Sequence, residues 1–387
     1  MSKLKIGVFF GGGSFEHDVS ILTGLQVCQA MDITRYEPIP FYVDLHGNIW
    51  TGGALASHKT YPLTDNAKSK LTLVVIGSDG KILSAHGMFR REIKIDAALL
   101  AFHGGAGESG AWAGLLEVSG IPFAGAKNMA SGVYMSKYAT KLICRALGIK
   151  VLNEIIAKRP AANTDILVFA KNLGVKFPVI VKPESMGSSV GVSRANNNEE
   201  LAAGLMSVFK LGDNAMIEPF VENLAEYNVA VMRRGRDIIT SAIEMPKNGG
   251  RLLTFANKYM SGGSAKKKID ADIDVMPSDG LLSMGRDLEP ALSEEQESFI
   301  RESAIKLFGA LGTDGAPRID FYGDKNTGEI WLNEVNPIPG AFAFYLWRAA
   351  KDPMTYTDII TNLIENALNN TRSKSYDLNS SNSRVFN

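Results

Sequence analysis

Apolar positions near the N-terminus come in short blocks. Lys5–Phe10 reads as an apolar strand, broken sharply by Gly11, Gly12 and Gly13. From about Val19 to Met31 the apolar residues Ile21, Leu22, Leu25 and Cys28 recur on one helical face. Tyr36–Val43 is a second strand, the polar stretch Asp44–Gly87 is predicted to be irregular, and Ala97–Phe102 is a third, buried strand. That strand runs into HGGAGESG at 103–110. The alternation predicts a parallel α/β sheet with its loops at the strand C-termini, where such sheets bind ligands.

A helical segment, Ala130–Leu147, follows. Lys176–Phe209 then has the pattern strand, glycine loop, strand, helix, and Ala215–Val221 and Tyr227–Arg233 add two strands. Leu281–Gln296 interrupts the pattern before a helix at Glu297–Leu311. Two strands, GAPRIDFYG and EIWLNEVN, flank the turn DKNTG, and a last helix covers roughly Thr357–Leu368. The Asn- and Ser-rich tail beyond Asn369 is predicted to be disordered. There is no internal repeat.

Composition narrows the class. A chain of 387 residues is long for one hydrophobic core, so two or three domains are expected. Lys plus Arg equals Asp plus Glu at 41 each, which argues against a nucleic-acid or membrane-surface binder. The start MSKLKIGVFFGGG meets glycines rather than a cleavage site, and no run approaches the length of a membrane span. Cys28 and Cys144 lie far apart in predicted helices and read as core residues in a reducing cytoplasm.

Four constellations carry chemistry. If Tyr322 pairs with Leu332, then Asp320 opposes Glu334 and Arg318 opposes Asn336, all four on one face of a hairpin. Asp, Glu and an Asn carboxamide suit Mg²⁺, which completes its shell with phosphates and water; a solvated face with Arg318 neutralising an acid is the alternative. Lys182, ending a buried strand, precedes Gly187-Ser188-Ser189, a loop able to cradle phosphates and act as a lid. Met216–Val221, with Glu218, Phe220 and Val221, and Glu226 beyond it could hold an adenine and its ribose, or simply end a strand. Glu16 follows the glycines of the first loop, near a helix start. The glycine-serine loop lacks a Walker pattern, which speaks against a P-loop protein, and in the first loop Gly11, Gly13 and Glu16 fail the last position of the GxGxxG fingerprint, which speaks against a nicotinamide dehydrogenase. Lys266-Lys267-Lys268 reads as a solvated charge run.

Taken in order, nine segments resemble the D-alanine–D-alanine ligase family of ATP-grasp enzymes: GGGSFEHDVS, HGGAGESG, GLLEVSGIPFAGA, MSKYATK, VIVKPESMGSSVGVS, IEPFVENLAEY, NKY at 257–259, RIDFYG and NEVNPIPG. The resemblance spans about residues 5–368 and implies an α/β fold, α+β in its ATP-grasp part. A Rossmann-like domain (1–128) would precede two ATP-grasp subdomains (129–228 and 229–370), with a tail at 371–387. It implies ATP as co-substrate, Mg²⁺ with Mn²⁺ as an alternative, small amino-acid substrates and a cytoplasmic homodimer.

By the same resemblance Glu16 holds the first substrate's ammonium, in a triad with Ser188 and Tyr259, and His103 lies beside that substrate. Lys137, Lys182, Ser189 and the mobile-loop Lys258 serve the phosphates; Glu218, Phe220, Val221 and Glu226 serve adenine and ribose. Asp320, Glu334 and Asn336 match the metal ligands, and Arg318 with the Gly340 N–H matches the oxyanion site. Two departures stand out. Ser109 replaces an aspartate of the family's HGxxGEDG pattern, and Tyr345 stands near a serine that reaches the second substrate's carboxylate. About ten extra residues lie between Met276 and Ala291. The expected activity is ATP-driven dipeptide formation through an acyl phosphate. The alternatives are a different amino or hydroxy acid as acceptor, or a nucleotide-binding relative without catalysis.

Overall fold

The first apolar block becomes β1 (Leu4–Gly11), the centre of an eight-stranded sheet. A computed structural model of the protein describes residues 2–87, 89–187, 189–247 and 285–372. Parallel neighbours, β2 (Tyr36–Val43) and β7 (Ala97–Leu100), flank β1, and Ile6, Val8, Phe9 and Phe10 are fully buried. Burial on both faces is why this strand reads as a continuous apolar run. The helix His17–Ala30 lies so close to β1 that a Cβ on Gly24 would come within 2.3 Å of the Phe10 ring.

The sheet is mixed rather than parallel. Beyond β2 it continues antiparallel through β3 (Ile49–Thr51), β4 (Thr72–Ile76), β5 (Ile82–Ser84) and β6 (Glu92–Ile93), while β8 (Phe123–Ala124) closes the other edge. The stretch predicted to be irregular therefore holds three strands of three to five residues, each too short for an alternation to stand out.

A second sheet, ordered β11-β10-β12-β9, joins β9 (Ile155–Lys158), β10 (Val179–Pro183), β11 (Ser193–Ala195) and β12 (Asn214–Pro219). The helices Ile166–Asn172 and Asn198–Phe209 cover one face of it. The third sheet, ordered β15-β14-β13-β16-β17, contains β13 (Leu224–Arg234), β14 (Asp237–Pro246), β15 (Arg286–Leu288), β16 (Arg318–Asp324) and β17 (Ile330–Asn336). Its core takes in Tyr134 and Cys144 and the apolar face of the helix Glu294–Ala310.

Four further expectations need correction. The segment Ala130–Leu147 is two helices, Asn128–Met135 and Lys137–Ala146, separated by an extended Ser136 whose hydroxyl accepts from Ala139 N at 3.0 Å. Ser136 is thus an N-cap, and it starts a new helix at Lys137. The break at Leu281–Gln296 contains β15 and the first turn of the next helix, which Ser293 and Gln296 open as a capping box. In the hairpin, Arg318 opposes Asn336 and Asp320 opposes Glu334 as expected. A bulge then displaces Asn333, so Tyr322 pairs with Trp331 instead of Leu332. The last helix runs from Tyr356 to Arg372, past the predicted end. Its Ile359, Ile360, Leu363 and Ile364 pack into the same core as the first sheet. No helix among the described residues is long and apolar enough to cross a membrane.

Candidate active site

Three glycine-bearing loops meet over a cavity of about 640 Å³: Gly13–Glu16 after β1, Gly104–Ser109 after β7, and Ser185, Met186, Gly187 and Val190 after β10. Met135 and Ser136, at the junction of the two short helices, complete the wall. Glu16 sits where backbones crowd. Gly104 has φ +69°, and a Cβ there would lie 3.0 Å from Glu16 Oε2; one on Gly187 would lie 3.7 Å away. The Ser14 hydroxyl donates to His103 O at 2.6 Å and accepts from Glu16 N at 3.2 Å, tying the first two loops together. A carboxylate on such a wall is a natural acceptor for an ammonium group.

His103 does not reach the cavity. It is buried, with Nε2 2.7 Å from Thr23 Oγ1, and burial lowers its pKa to about 4 against a hydrogen bond with the Ile338 backbone. Glu108, in the same loop and not singled out in the sequence, is also buried and off the cavity wall. It accepts from Gly104 N at 2.8 Å and Ile338 N at 3.3 Å. Burial, reinforced by the neighbouring charge of Glu16, raises its pKa to about 8 against these hydrogen bonds and Arg318. Its signal was available: it is the one acid in HGGAGESG.

On the hairpin, Arg318 grips Asp320 through both Nε and Nη2 at 2.7 Å. Lys137 Nζ lies 3.2 Å from Glu334 Oε2 and donates to Met186 O at 2.5 Å, so one side chain joins the helix, the hairpin and the glycine loop. Asp320 holds the Arg318 guanidinium well above the usual range, although burial opposes this. Turned to satisfy its donors, the Asn336 amide nitrogen faces Glu108 Oε1 at 3.1 Å and Ile338 O at 3.3 Å, leaving its oxygen as the atom available to a cation. Among the described residues no three His, Cys, Asp or Glu side chains cluster as a metal cage. Two carboxylates and an amide oxygen are an incomplete hard-donor set, and that fits Mg²⁺, which retains water and phosphate oxygens.

Between the second and third sheets lies a buried charge cluster. Lys182 Nζ is 2.6 Å from Glu218 Oε2 and donates to Asn333 Oδ1 at 3.1 Å. The bulge in β17 brings Asn333 there. Lys141, which the sequence reading passed over, also donates to Glu218. Burial drives the Glu218 pKa up, but Lys182 and Lys141 outweigh it and hold the carboxyl below its ordinary range. Arg194 stacks over the ring of Phe220 at 4.0 Å, and Glu226 lies opposite Tyr322 on the neighbouring strand. Val221 is half-buried at the end of the same segment, and Ser189 is left-handed with φ +58°. Ser188, Lys258, Tyr259, Lys266–Lys268 and most of the extra segment near 277–290 lie outside the described residues.

After Gly340, three buried non-glycine residues take left-handed backbone: Ala341 (φ 46°), Phe342 (φ 51°) and Ala343 (φ 52°). Such residues cost roughly 1–2 kcal/mol each, so the surrounding packing must hold this turn. A Cβ on Gly340 would meet nothing within 4 Å. Tyr345 is not on the cavity wall. Its hydroxyl donates to Glu244 Oε1 at 2.6 Å, beside Asn228 Nδ2 at 2.9 Å. Arg286 donates to Glu244 Oε2 at 3.0 Å and lies 4.1 Å over the Tyr345 ring. Burial and the Glu244 charge push the phenol above its usual range.

The family described as D-ala D-ala ligase N-terminus matches residues 5–126, and the one described as D-ala D-ala ligase C-terminus matches residues 143–286 and 282–365. A D-alanine–D-alanine ligase of Thermosipho melanesiensis is 32% identical over 382 residues, covering 96% of this chain and 95% of that protein. One from Chlorobium chlorochromatii is 33% identical, covering 95% and 99%. The crystal structure of D-alanine–D-alanine ligase from Helicobacter pylori superposes with a TM-score of 0.71 at 28% identity, over 94% of this chain and 98% of that one.

Proposed function

The chain belongs to the D-alanine–D-alanine ligase family, and from that premise we propose that it joins D-alanine to a second small amino acid through an acyl phosphate, releasing ADP and phosphate. The enzyme is an ATP-dependent carboxylate–amine ligase of mixed α/β fold. In the finer reading, the first sheet is the Rossmann-like domain (1–128). The second and third sheets are the ATP-grasp subdomains (129–228 and 229–370). The protein is a homodimer working in the cytoplasm, where its dipeptide feeds peptidoglycan synthesis.

One observation carries the chemistry: the opposed Asp320 and Glu334, each already matched to a cation, on a hairpin whose Asn333 also accepts from Lys182, the lysine paired with Glu218. Glu16 holds the first substrate's ammonium and leaves its carboxylate to face the phosphates. Lys137, Lys182 and Ser189 bind those phosphates, while Glu218, Phe220, Val221 and Glu226 hold adenine and ribose. Asp320, Glu334 and Asn336 would hold Mg²⁺ (or Mn²⁺), whose charge offsets that of the phosphoryl group. A carboxylate oxygen takes the γ-phosphoryl group and ADP leaves. The acceptor amine then attacks the acyl carbon, loses a proton and expels phosphate, while Arg318 and the Gly340 N–H stabilise the oxyanion. Ser188, Tyr259 and Lys258 keep the roles that the resemblance gives them.

A second reading differs only in the acceptor. Tyr345 takes the place of a small hydroxyl and is bound up with Glu244 and Arg286, so the acceptor could be another amino or hydroxy acid. The test is an ATP-consumption screen over D- and L-amino-acid pairs, with mass detection of products and nucleotides. The expected result is ADP, phosphate and D-alanyl-D-alanine, with phosphate release requiring an acceptor. AMP and pyrophosphate would overturn the acyl-phosphate route, and efficient ligation of D-alanine to a different acceptor alone would install the second reading.

A further inference from the structure

Lys141 lies one helical turn beyond Lys137, so both side chains leave the same face of the helix Lys137–Ala146. Their surroundings differ. Lys137 meets the glycine loop and Glu334, whereas Lys141 is fully buried and donates to Glu218 and to the backbone carbonyl of Leu152 at 2.9 Å, with Glu154 at 3.8 Å. Glu218 thus has two lysines, and they are held differently. Lys141 is anchored to a main-chain oxygen beside its own helix. Lys182 reaches across to Asn333 and to the face of Tyr322 (5.8 Å), both on the third sheet.

Glu218 is shared between Lys141 and Lys182, while Lys141 and Arg145 also share Glu154. An anionic ligand at this cluster would compete with Glu218 for Lys182. Lys182 could turn to that ligand only if Glu218 kept another counter-ion, because a buried carboxylate left alone is costly.

We propose that Lys141 is a positioning residue for the nucleotide: it is the fixed counter-ion that keeps Glu218 charged and aimed while Lys182 exchanges Glu218 for the phosphates. A carboxylate held this way accepts from the exocyclic amino group of adenine and opposes the carbonyl oxygen that guanine would place there. Lys141 therefore contributes to base selection without touching the base. This inference rests on reading the cleft as the ATP site.

The experiment uses the full chain with Mg²⁺ and measures ADP and GDP binding by calorimetry, alongside kinetics with ATP. Lys141→Met should raise the dissociation constant for ADP roughly ten- to a hundredfold, as expected for losing a hydrogen bond between charged groups, and should narrow the preference for ADP over GDP. kcat at saturating ATP and the amino-acid KM should stay within about threefold. In a Glu218→Gln background, where no carboxylate needs a counter-ion, adding Lys141→Met should cost no more than about threefold in ADP binding. Full additivity of the two substitutions, or an unchanged ADP-to-GDP preference, would overturn the proposal. If Lys141→Met alone does not fold, Glu218→Gln and the double variant decide it by the same criterion. Failure of the unaltered enzyme to bind ADP would instead overturn the ATP reading, and this proposal with it.

Discussion

Two buried glutamates anchor charge clusters in this molecule, and they are built differently. Glu218 is held by lysines from a helix and from β10, and one of these also bonds across the cleft to the third sheet. Glu244, on β14, is held by Asn228 on β13, Arg286 on β15 and Tyr345 on the helix Phe344–Arg348. Three strands and one helix packed on their own sheet supply that second set. In the first cluster Lys182 reaches between the second and third sheets while Lys141 is anchored beside its own helix, so on the proposed exchange Lys182 alone would change partners. The second holds shape, because moving any member disturbs the sheet itself. Both clusters are hydrogen-bonded and buried, so burial alone does not distinguish a site that works by exchange from one that works by rigidity.

Substitutions at each cluster and at its borders can break this contrast. The largest effect is expected at Glu334, the carboxylate that Lys137 matches at the cleft. Glu334→Gln should lower kcat more than about a thousandfold, several kcal/mol of charge stabilisation, while leaving the melting temperature near that of the unaltered enzyme. Activity should likewise vanish in excess chelator. Near-full turnover by this variant, or turnover in chelator, would remove Glu334 from the metal set.

Next is Glu244. Glu244→Ala removes the buried acceptor shared by Asn228, Arg286 and Tyr345 and should destabilise the fold by about 3–5 kcal/mol, seen as a lower melting temperature. ADP binding by the folded fraction should not change. A variant that melts normally but loses nucleotide affinity would reverse the assignment of the two clusters.

Arg318 borders both regions, with its fork on Asp320 and its charge beside Glu244 and Tyr345. Arg318→Gln should lower kcat roughly a hundred- to a thousandfold as an oxyanion donor is lost, with KM for ATP nearly unchanged. If KM for ATP rises and kcat holds, Arg318 serves the nucleotide instead.

The contrast between the clusters also explains what was legible beforehand. Residues that act through a local pattern were visible: the apolar β1, the opposition of Asp320 and Glu334 across a short turn, and Lys182 at a strand end. Lys141 was legible in principle, as the residue four positions after Lys137, but helix periodicity names a face and not the acid waiting there. The bulge at Asn333 was not legible, since nothing in NEVN distinguishes an unbroken ladder from a displaced residue. The Glu244 cluster was hidden for a different reason. Glu244 pairs with Leu288 and Pro246 with Arg286 across a long connection, and no local spacing predicts that register. Ser293 and Gln296 had the signature of a capping box, yet the polar stretch before them masked the helix start.

The smallest expected effect concerns Tyr345, where the two regions compete for one side chain. Its hydroxyl is tied to Glu244, which favours a purely structural role; its proximity to Arg318 places it at the border of the acceptor region. Two substitutions separate these roles. Tyr345→Phe deletes only the hydroxyl, so it should cost about 1 kcal/mol of stability and leave the acceptor KM unchanged. Tyr345→Ser removes the ring as well and installs the small hydroxyl that the family resemblance expects there. If the ring restricts the acceptor pocket, this variant should lower KM for D-alanine as acceptor several-fold, about 1 kcal/mol for one recovered hydrogen bond, despite its lower stability. Kinetics with the first substrate saturating and the melting temperature of each variant supply the readouts. The expected pattern is a stability loss in both variants and a lower acceptor KM in Tyr345→Ser alone. A KM that stays fixed in both, in an enzyme that already uses D-alanine efficiently, would assign Tyr345 wholly to the Glu244 cluster, and the acceptor would then be selected by other residues.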